Sequence, residues 1–368
     1  MTTVGNLTAH ARFLRKKPLV IPRAMKGFYR TLFLGQKVLR TIDWAVTYRC
    51  NARCVMCSAR RLYNSEREEL TLEQRKMVWK QALKLGAIHT QFTGGEPMVK
   101  GIDWIEQAIR DLQPEKVLVC MSTNAMLLDK EKIRRMHDAG LDTLQMSIDS
   151  LVPDEHNRLR GLSGNFQHIM KMFRYARDVG LNAGLGSVLA PTNSEMIKKL
   201  AAFTKSEGVH CAVNRVSNPE NWVSDDYRSW SIEEYPKYKE VLDIPNVRTD
   251  TFLNFNGRSG CPAGERIEIT AYGDVMSCPQ VQISFGNVLE EPLKVIWERL
   301  YNSPLFKYRC GECRWCWDSK FYETYIKPYE KFKQMPVPIE KVMEDMKKRG
   351  KKLYAPNFCI KGNKLVRK

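Results

Sequence analysis

The sequence predicts an α/β fold: a partial, TIM-like (βα)6 barrel followed by a small cysteine-rich C-terminal module. From residue 43 to about 240, short β-rich runs alternate with longer amphipathic stretches. Each interval between runs has room for one helix, which is the pattern of a parallel sheet. Six such units in about 200 residues suit a barrel better than a small doubly wound domain. Eight of the eleven cysteines fall in two groups, Cys50–Cys57 and Cys261–Cys316, and the second group marks the module.

The expected strands are Asp43–Thr47, Ala87–Thr93, Lys116–Ser122, Thr143–Ile148, Gly184–Val188 and Cys211–Val216. Thr71-Leu72-Glu73-Gln74 reads as a capping box opening a helix that Gly86 stops, and Asp129 and Gly140 bracket another. Residues 217–258, rich in Asn, Ser, Asp and Trp, read as an irregular connector, and a helix is expected at Ile339–Arg349. The expected divisions are a basic amphipathic segment 1–42, the barrel 43–240, the module 241–318 and a basic tail 319–368.

The net charge of +18 belongs to the two ends. Residues 1–42 hold nine Lys or Arg and no acidic residue, and residues 319–368 hold fourteen basic against five acidic. Between them stand 36 of each sign, so the excess is a surface property of the termini. No run of about 18 apolar residues is present to form a spanning helix. No secretory signal is visible either, so a cytoplasmic protein with reduced thiols is expected. An odd number of cysteines there points to metal ligation rather than a disulfide framework.

Cys50-Asn-Ala-Arg-Cys54-Val-Met-Cys57 follows the first strand directly, on a loop at the carboxyl end of the barrel. Three close thiolates suit a [4Fe–4S] cube with one iron left open for a small molecule. A zinc site completed by a distant fourth residue is the alternative. Thr93-Gly94-Gly95-Glu96-Pro97 ends the second strand, where paired glycines permit close backbone approach and Glu96 can accept from an ammonium group. Ser122-Thr123-Asn124 and Ser147-Ile148-Asp149-Ser150 end the third and fourth strands, as mouth-facing polar groups or as ordinary helix caps. Arg158-Leu159-Arg160-Gly161 follows, and Val188-Leu189 ends the fifth strand.

This C-x3-C-x2-C triplet and its companions resemble the radical S-adenosylmethionine superfamily, with Met56 where an aromatic residue often precedes the third cysteine. The resemblance implies that Cys50, Cys54 and Cys57 hold the cluster and that its open iron binds S-adenosylmethionine. It implies cofactor contacts from Gly94, Gly95, Glu96, Pro97, Ser122, Asn124, Ser147, Asp149, Arg160 and Val188, Arg160 being preferred to Arg158 for the methionine carboxylate. Further on, Cys261, Gly273, Cys278, Phe285-Gly286-Asn287-Val288 and the Cys310-x2-Cys313-x2-Cys316 run resemble SPASM/Twitch modules. That implies one auxiliary [4Fe–4S] cluster on Cys261, Cys278, Cys310 and Cys313, with Cys316 as substitute or extra ligand, and zinc as the alternative. Cys120 and Cys211 read as core thiols, and Cys359 is unassigned.

The reaction implied is reductive cleavage of S-adenosylmethionine to a 5′-deoxyadenosyl radical, which abstracts hydrogen from an unactivated C–H bond. A low-potential donor of flavodoxin or ferredoxin type is the implied partner. Met25, Phe28, Tyr29, Leu32, Phe33 and Leu39 fall near one helical face with cations elsewhere, as on a helix lying on anionic lipid, bracing the barrel or docking an acidic electron donor such as a flavodoxin. The leading expectation is therefore a lipid or membrane-associated substrate and a peripheral membrane location. The alternatives are modification of a ribosomally made peptide and oxidation of a sugar or aminoglycoside. A metal-stabilised nucleic-acid-binding protein is the non-enzymatic alternative, and the neutral centre argues against nucleic acid.

Overall fold

The structure, a computed structural model, describes residues 17–216, 230–249, 262–306, 319–325, 327–329, 332, 334–350, 358–361 and 364–367. The six expected strands form as β1 (Thr41–Thr47), β2 (His89–Gly94), β3 (Leu118–Thr123), β4 (Thr143–Ser147), β5 (Asn182–Leu189) and β6 (Cys211–Arg215). Each pairs in parallel with the next. Alternation sorts β1 into two faces: Ile42, Trp44 and Val46 are buried apolar residues, while Asp43 faces a cavity inside the sheet.

Helices fill the intervals, as the spacing requires. They are α2 (Leu72–Leu85), α3 (Ile102–Asp111), α4 (Lys130–Ala139), α5 (Pro153–Arg160), α6 (Asn165–Asp178) and α7 (Ser194–Ser206), with α1 (Val20–Leu32) preceding β1. Thr71 and Gln74 form the expected reciprocal cap of α2, and Gly86 ends it in the left-handed region. Asp129 caps α4 by accepting from the Lys132 amide, and Gly140 closes it.

The expectation of an irregular connector at 217–258 is corrected in its middle. Residues 230–249 include α8 (Tyr235–Leu242) and β7 (Val247–Thr249), and β7 extends the sheet by pairing in parallel with β6. Three residues are too short to show a period, which is why this strand is invisible in sequence.

At the other edge, β8 (Arg266–Ile269) runs parallel to β1, from Thr41 opposite Arg266 to Trp44 opposite Ile269. It turns into β9 (Asp274–Cys278), which pairs with β10 (Val281–Asn287), and β11 (Val337–Pro338) closes the row. One eleven-stranded sheet results, in the order β11-β10-β9-β8-β1-β2-β3-β4-β5-β6-β7. Gly273, at φ +94°, makes the β8–β9 turn. Asn287 holds that turn through Tyr272 O at 3.0 Å and Asp274 Oδ1 at 3.1 Å. The cysteine-rich region is thus stitched to the strand that leads into the first cysteines.

The floor of the barrel, where strands begin, is crossed by the N-terminal segment. Lys17 Nζ donates to Val117 O at 3.0 Å and Gly140 O at 3.2 Å and pairs with Asp142. Arg23 donates to Leu83 O at 3.1 Å and Ala87 O at 2.8 Å. Ala24 packs on Val38 and Ile88. All these partners precede β1, β2, β3 or β4.

Candidate active site

The loop carrying Cys50, Cys54 and Cys57 leaves β1 at the mouth of the barrel and is pinned from both sides. On one side Gly95 N donates to Thr47 O at 2.7 Å and Glu96 N to Arg49 O at 3.0 Å. A Cβ on Gly94 would stand 2.3 Å from Thr47 O, and one on Gly95 2.3 Å from Arg49 O. The paired glycines therefore admit the cysteine loop's own backbone. On the other side Arg53 N donates to Arg160 O at 3.1 Å and Val55 N to Leu159 O at 3.0 Å. Beneath, the buried Arg75 of α2 donates to Ala45 O at 3.3 Å and Val46 O at 3.1 Å. Its guanidinium lies 5.3 Å from the Trp44 ring centroid and 5.5 Å from that of Trp104.

The three thiols open onto one cavity of about 440 Å³. Among the described residues, no three His, Cys, Asp or Glu side chains stand close enough to grip a metal ion as they are. Burial pushes the Cys50 thiol up to about 11 and also raises Cys54, whose nearest cation is Arg160, with Nη1 3.8 Å from Cys54 Sγ. Three soft sulfur donors at one mouth fit an iron–sulfur cube, whose positive irons stabilise the thiolates that burial disfavours.

Glu96 is 1% exposed and held by three hydrogen bonds from the chain. Its Oε1 accepts from Thr123 Oγ1 at 2.8 Å and Met98 N at 3.0 Å, and its Oε2 from Asn124 N at 2.8 Å. Burial holds it above the usual carboxylate range, against these three bonds. A carboxylate has about four lone-pair sites, so one remains for an ammonium group. Asn124 Nδ2 also reaches Asn51 Oδ1, at 2.8 Å, inside the cysteine loop.

A second carboxylate, Asp149, is 1% exposed and sits behind Arg160, with Oδ2 2.5 Å from Arg160 Nε. Its Oδ1 accepts from Ser187 Oγ at 3.0 Å and Val188 N at 3.4 Å. The Asp149 amide donates to His156 Nδ1 at 3.2 Å. His156 Nε2 meets Asn165 Oδ1 at 2.9 Å, and Asn165 Nδ2 donates to Asn124 O at 2.9 Å. Because Asn165 presents its oxygen, His156 is the neutral Nε2–H tautomer. Burial lowers its pKa, consistent with that form. A continuous relay thus joins the ends of β3, β4 and β5 to the cysteine loop.

Of the residues singled out in sequence, Cys50, Cys54, Cys57, Gly94, Gly95, Glu96, Ser122, Asn124, Ser147, Arg160 and Val188 line the cavity. Pro97 instead opens a short 3-10 turn, Pro97–Lys100, and Asp149 stands behind the wall. His156, Asn165 and Arg75 were missed. The one available signal was a His and an Asn in the polar stretch bracketing Arg160. Cys211 is a buried core thiol as expected, whereas Cys120 faces the cavity 3.3 Å from His89 Nε2.

Deeper in, the cavity walls are Asp43, Gln91, Gln145 and Glu268, and the floor is Arg40, His89 and Thr143. The closed barrel interior of branched aliphatic side chains is replaced by polar ones. Asp43 pairs with Arg266 at 2.5 Å. Glu268 is 2% exposed, and burial, then the neighbouring Asp43, pushes it up to about 8. Of the auxiliary ligands expected, Cys278 ends β9 half-buried, while Cys261, Cys310, Cys313 and Cys316 lie outside the described residues.

Comparison with known proteins agrees with this geometry. Residues 44–204 match the radical SAM superfamily, and residues 261–317 match the SPASM iron–sulfur cluster-binding domain. A GTP 3′,8-cyclase of Aquifex aeolicus is 32% identical over 268 residues, covering 65% of this chain and 82% of that one. A PqqA peptide cyclase of Rhizobium meliloti is 28% identical over 300 residues, covering 74% of this chain and 77% of that one. Streptococcus suis SuiB bound to S-adenosylmethionine shares the fold with a TM-score of 0.59 at 18% identity, covering 82% of this chain and 71% of that one. The chain is therefore a radical S-adenosylmethionine enzyme with a C-terminal SPASM domain, built to carry a [4Fe–4S] cluster, an auxiliary iron–sulfur cluster and S-adenosylmethionine.

Proposed function

We propose that Cys50, Cys54 and Cys57 hold the S-adenosylmethionine-binding cluster and that the polar barrel interior holds a peptide whose C–H bond is attacked. When bound there and given one electron, the cluster would supply the reductive cleavage of S-adenosylmethionine, and with it a 5′-deoxyadenosyl radical able to take that hydrogen. The chain's own groups orient the reactants and keep out water. Glu96 offers its remaining lone pair to the methionine ammonium, and Arg160, braced by Asp149, faces the methionine carboxylate. Ser122, Asn124, Ser147 and Val188 surround the nucleoside. Cys278, with Cys261, Cys310, Cys313 or Cys316, holds the auxiliary cluster. A flavodoxin- or ferredoxin-type protein delivers the electron.

The observation that carries this reading is the convergence of the pinned cysteine loop, Glu96, Asn124 and Arg160 on one cavity. The peptide is supported by two things: the polar inner wall, and the relative named a PqqA peptide cyclase. The apolar segment that suggested a lipid substrate lies at the opposite end of the barrel and lines none of this cavity. Anaerobic reconstitution followed by deuterium transfer into 5′-deoxyadenosine from labelled peptide, lipid and sugar pools tests it. Transfer from lipid or sugar alone ends the peptide assignment.

A membrane surface is proposed as the place where the protein docks. No described helix is long and apolar enough to cross a bilayer, so docking means lying on it. Exposed apolar side chains on α1 support this.

A further inference from the structure

Among the described residues, eight of the thirteen exposed large apolar side chains fall within residues 19–34. Ile21, Met25, Phe28 and Leu32 recur at helical spacing and form one stripe along α1. Met25 is 65% exposed and Leu32 55%, with Phe33 at 76% just beyond. The opposite face, with Val20, Arg23, Ala24 and Gly27, is the one that packs on the barrel. A helix with a brace function alone would bury its apolar stripe; this one presents it outward. Lys26 is exposed on the same helix, and residues 1–42 contain no acidic side chain.

The geometry points to α1 as an in-plane helix on an anionic bilayer, holding the barrel upright with its cysteine mouth facing away from the lipid. This rests on the proposed membrane docking and adds its orientation. Two arguments set that orientation and a third the occupant. Lys17, Arg23 and Ala24 meet the barrel at residues just ahead of its strands, Val117, Gly140, Asp142, Leu83, Ala87, Val38 and Ile88, so α1 is moored at the floor. The cysteine loop and Glu96 follow the opposite, carboxyl ends of β1 and β2. The occupant is lipid because an exposed apolar stripe on a segment whose charged residues are all cations matches acyl chains beneath anionic headgroups. Substrate and electron donor then reach the mouth from the aqueous side, while the floor stays moored.

Flotation and hydrogen–deuterium exchange of the full iron-loaded chain, with vesicles of phosphatidylglycerol and phosphatidylcholine, test this. The expected result is flotation on these vesicles and not on pure phosphatidylcholine, with new protection confined to residues 19–34. Met25→Ser with Leu32→Ser should weaken flotation at least about tenfold while S-adenosylmethionine cleavage is unchanged. Flotation with protection spreading to residues 50–63 overturns the orientation and leaves docking standing. Absence of flotation overturns both, as does lipid-independent dimerisation that protects residues 19–34. Neither failure touches the cluster assignment, which is read from iron content and 5′-deoxyadenosine.

Discussion

The two ends of the barrel break opposite rules of protein interiors. At the mouth, polar side chains are buried: Glu96, Asn124, Asp149 and His156 are each at most 6% exposed, and each is held by hydrogen bonds. At the floor, apolar side chains such as Met25 and Phe33 stand in solvent. A buried polar group costs stability unless satisfied, and an exposed apolar patch invites a partner. Each end is thus informative through what it tolerates: the mouth for small polar ligands, the floor for something greasy and large.

That contrast can be broken by substitution, and the mouth should break first. Cys54→Ala is expected to bring S-adenosylmethionine cleavage to background and lower bound iron, measured by 5′-deoxyadenosine and iron assay. Gly95→Ala forces a Cβ against Arg49 O and should cost roughly 1–3 kcal/mol, seen as a lower melting temperature and poorer iron incorporation. Asp149→Asn loosens Arg160 and should reduce cleavage about 10–100-fold, with raised KM for S-adenosylmethionine if Arg160 holds the carboxylate.

His156 sharpens the contrast through pH. Its folded pKa lies below the ordinary 6.5, so the neutral ring is the form the fold stabilises. Its contribution is complete above about pH 6.5 and is lost as pH falls through the depressed value. Burial, joined by Arg160, outweighs Asp149 and the Asn165 hydrogen bond, which favour the charged ring. His156→Gln should flatten the loss of stability on acidification, measured by denaturant unfolding at two pH values, and cost about 1–3 kcal/mol near neutrality. At the floor, Met25→Ser with Leu32→Ser should change stability by no more than about 0.5 kcal/mol, since these side chains bury little in the fold.

Legibility in the sequence followed the same division. The six inner strands, the Thr71–Gln74 capping box and the cysteine loop each carry a local signature, because spacing alone decides them. β7 does not, since three residues have no period and only pairing with β6 makes them a strand. Arg75 and the His156–Asn165 relay were hidden for a different reason: their role depends on partners far along the chain, Ala45 for one and Asn124 for the other. The amphipathic pattern of α1 was readable, but whether its stripe faces the barrel or solvent is a tertiary fact. Leu39, grouped with that stripe in sequence, is fully buried ahead of β1.

The register of Thr41 against Arg266 carries a cost in time. As the polypeptide leaves the ribosome, β1 acquires its β2 neighbour early, yet its other side stays a bare ladder of amides and carbonyls until more than half of the remaining chain has been made. The first three cysteines therefore sit on an unfinished edge throughout most of synthesis. Splitting the gene between the two matched regions would leave that edge permanently open, so two separately expressed halves should aggregate where the intact polypeptide does not.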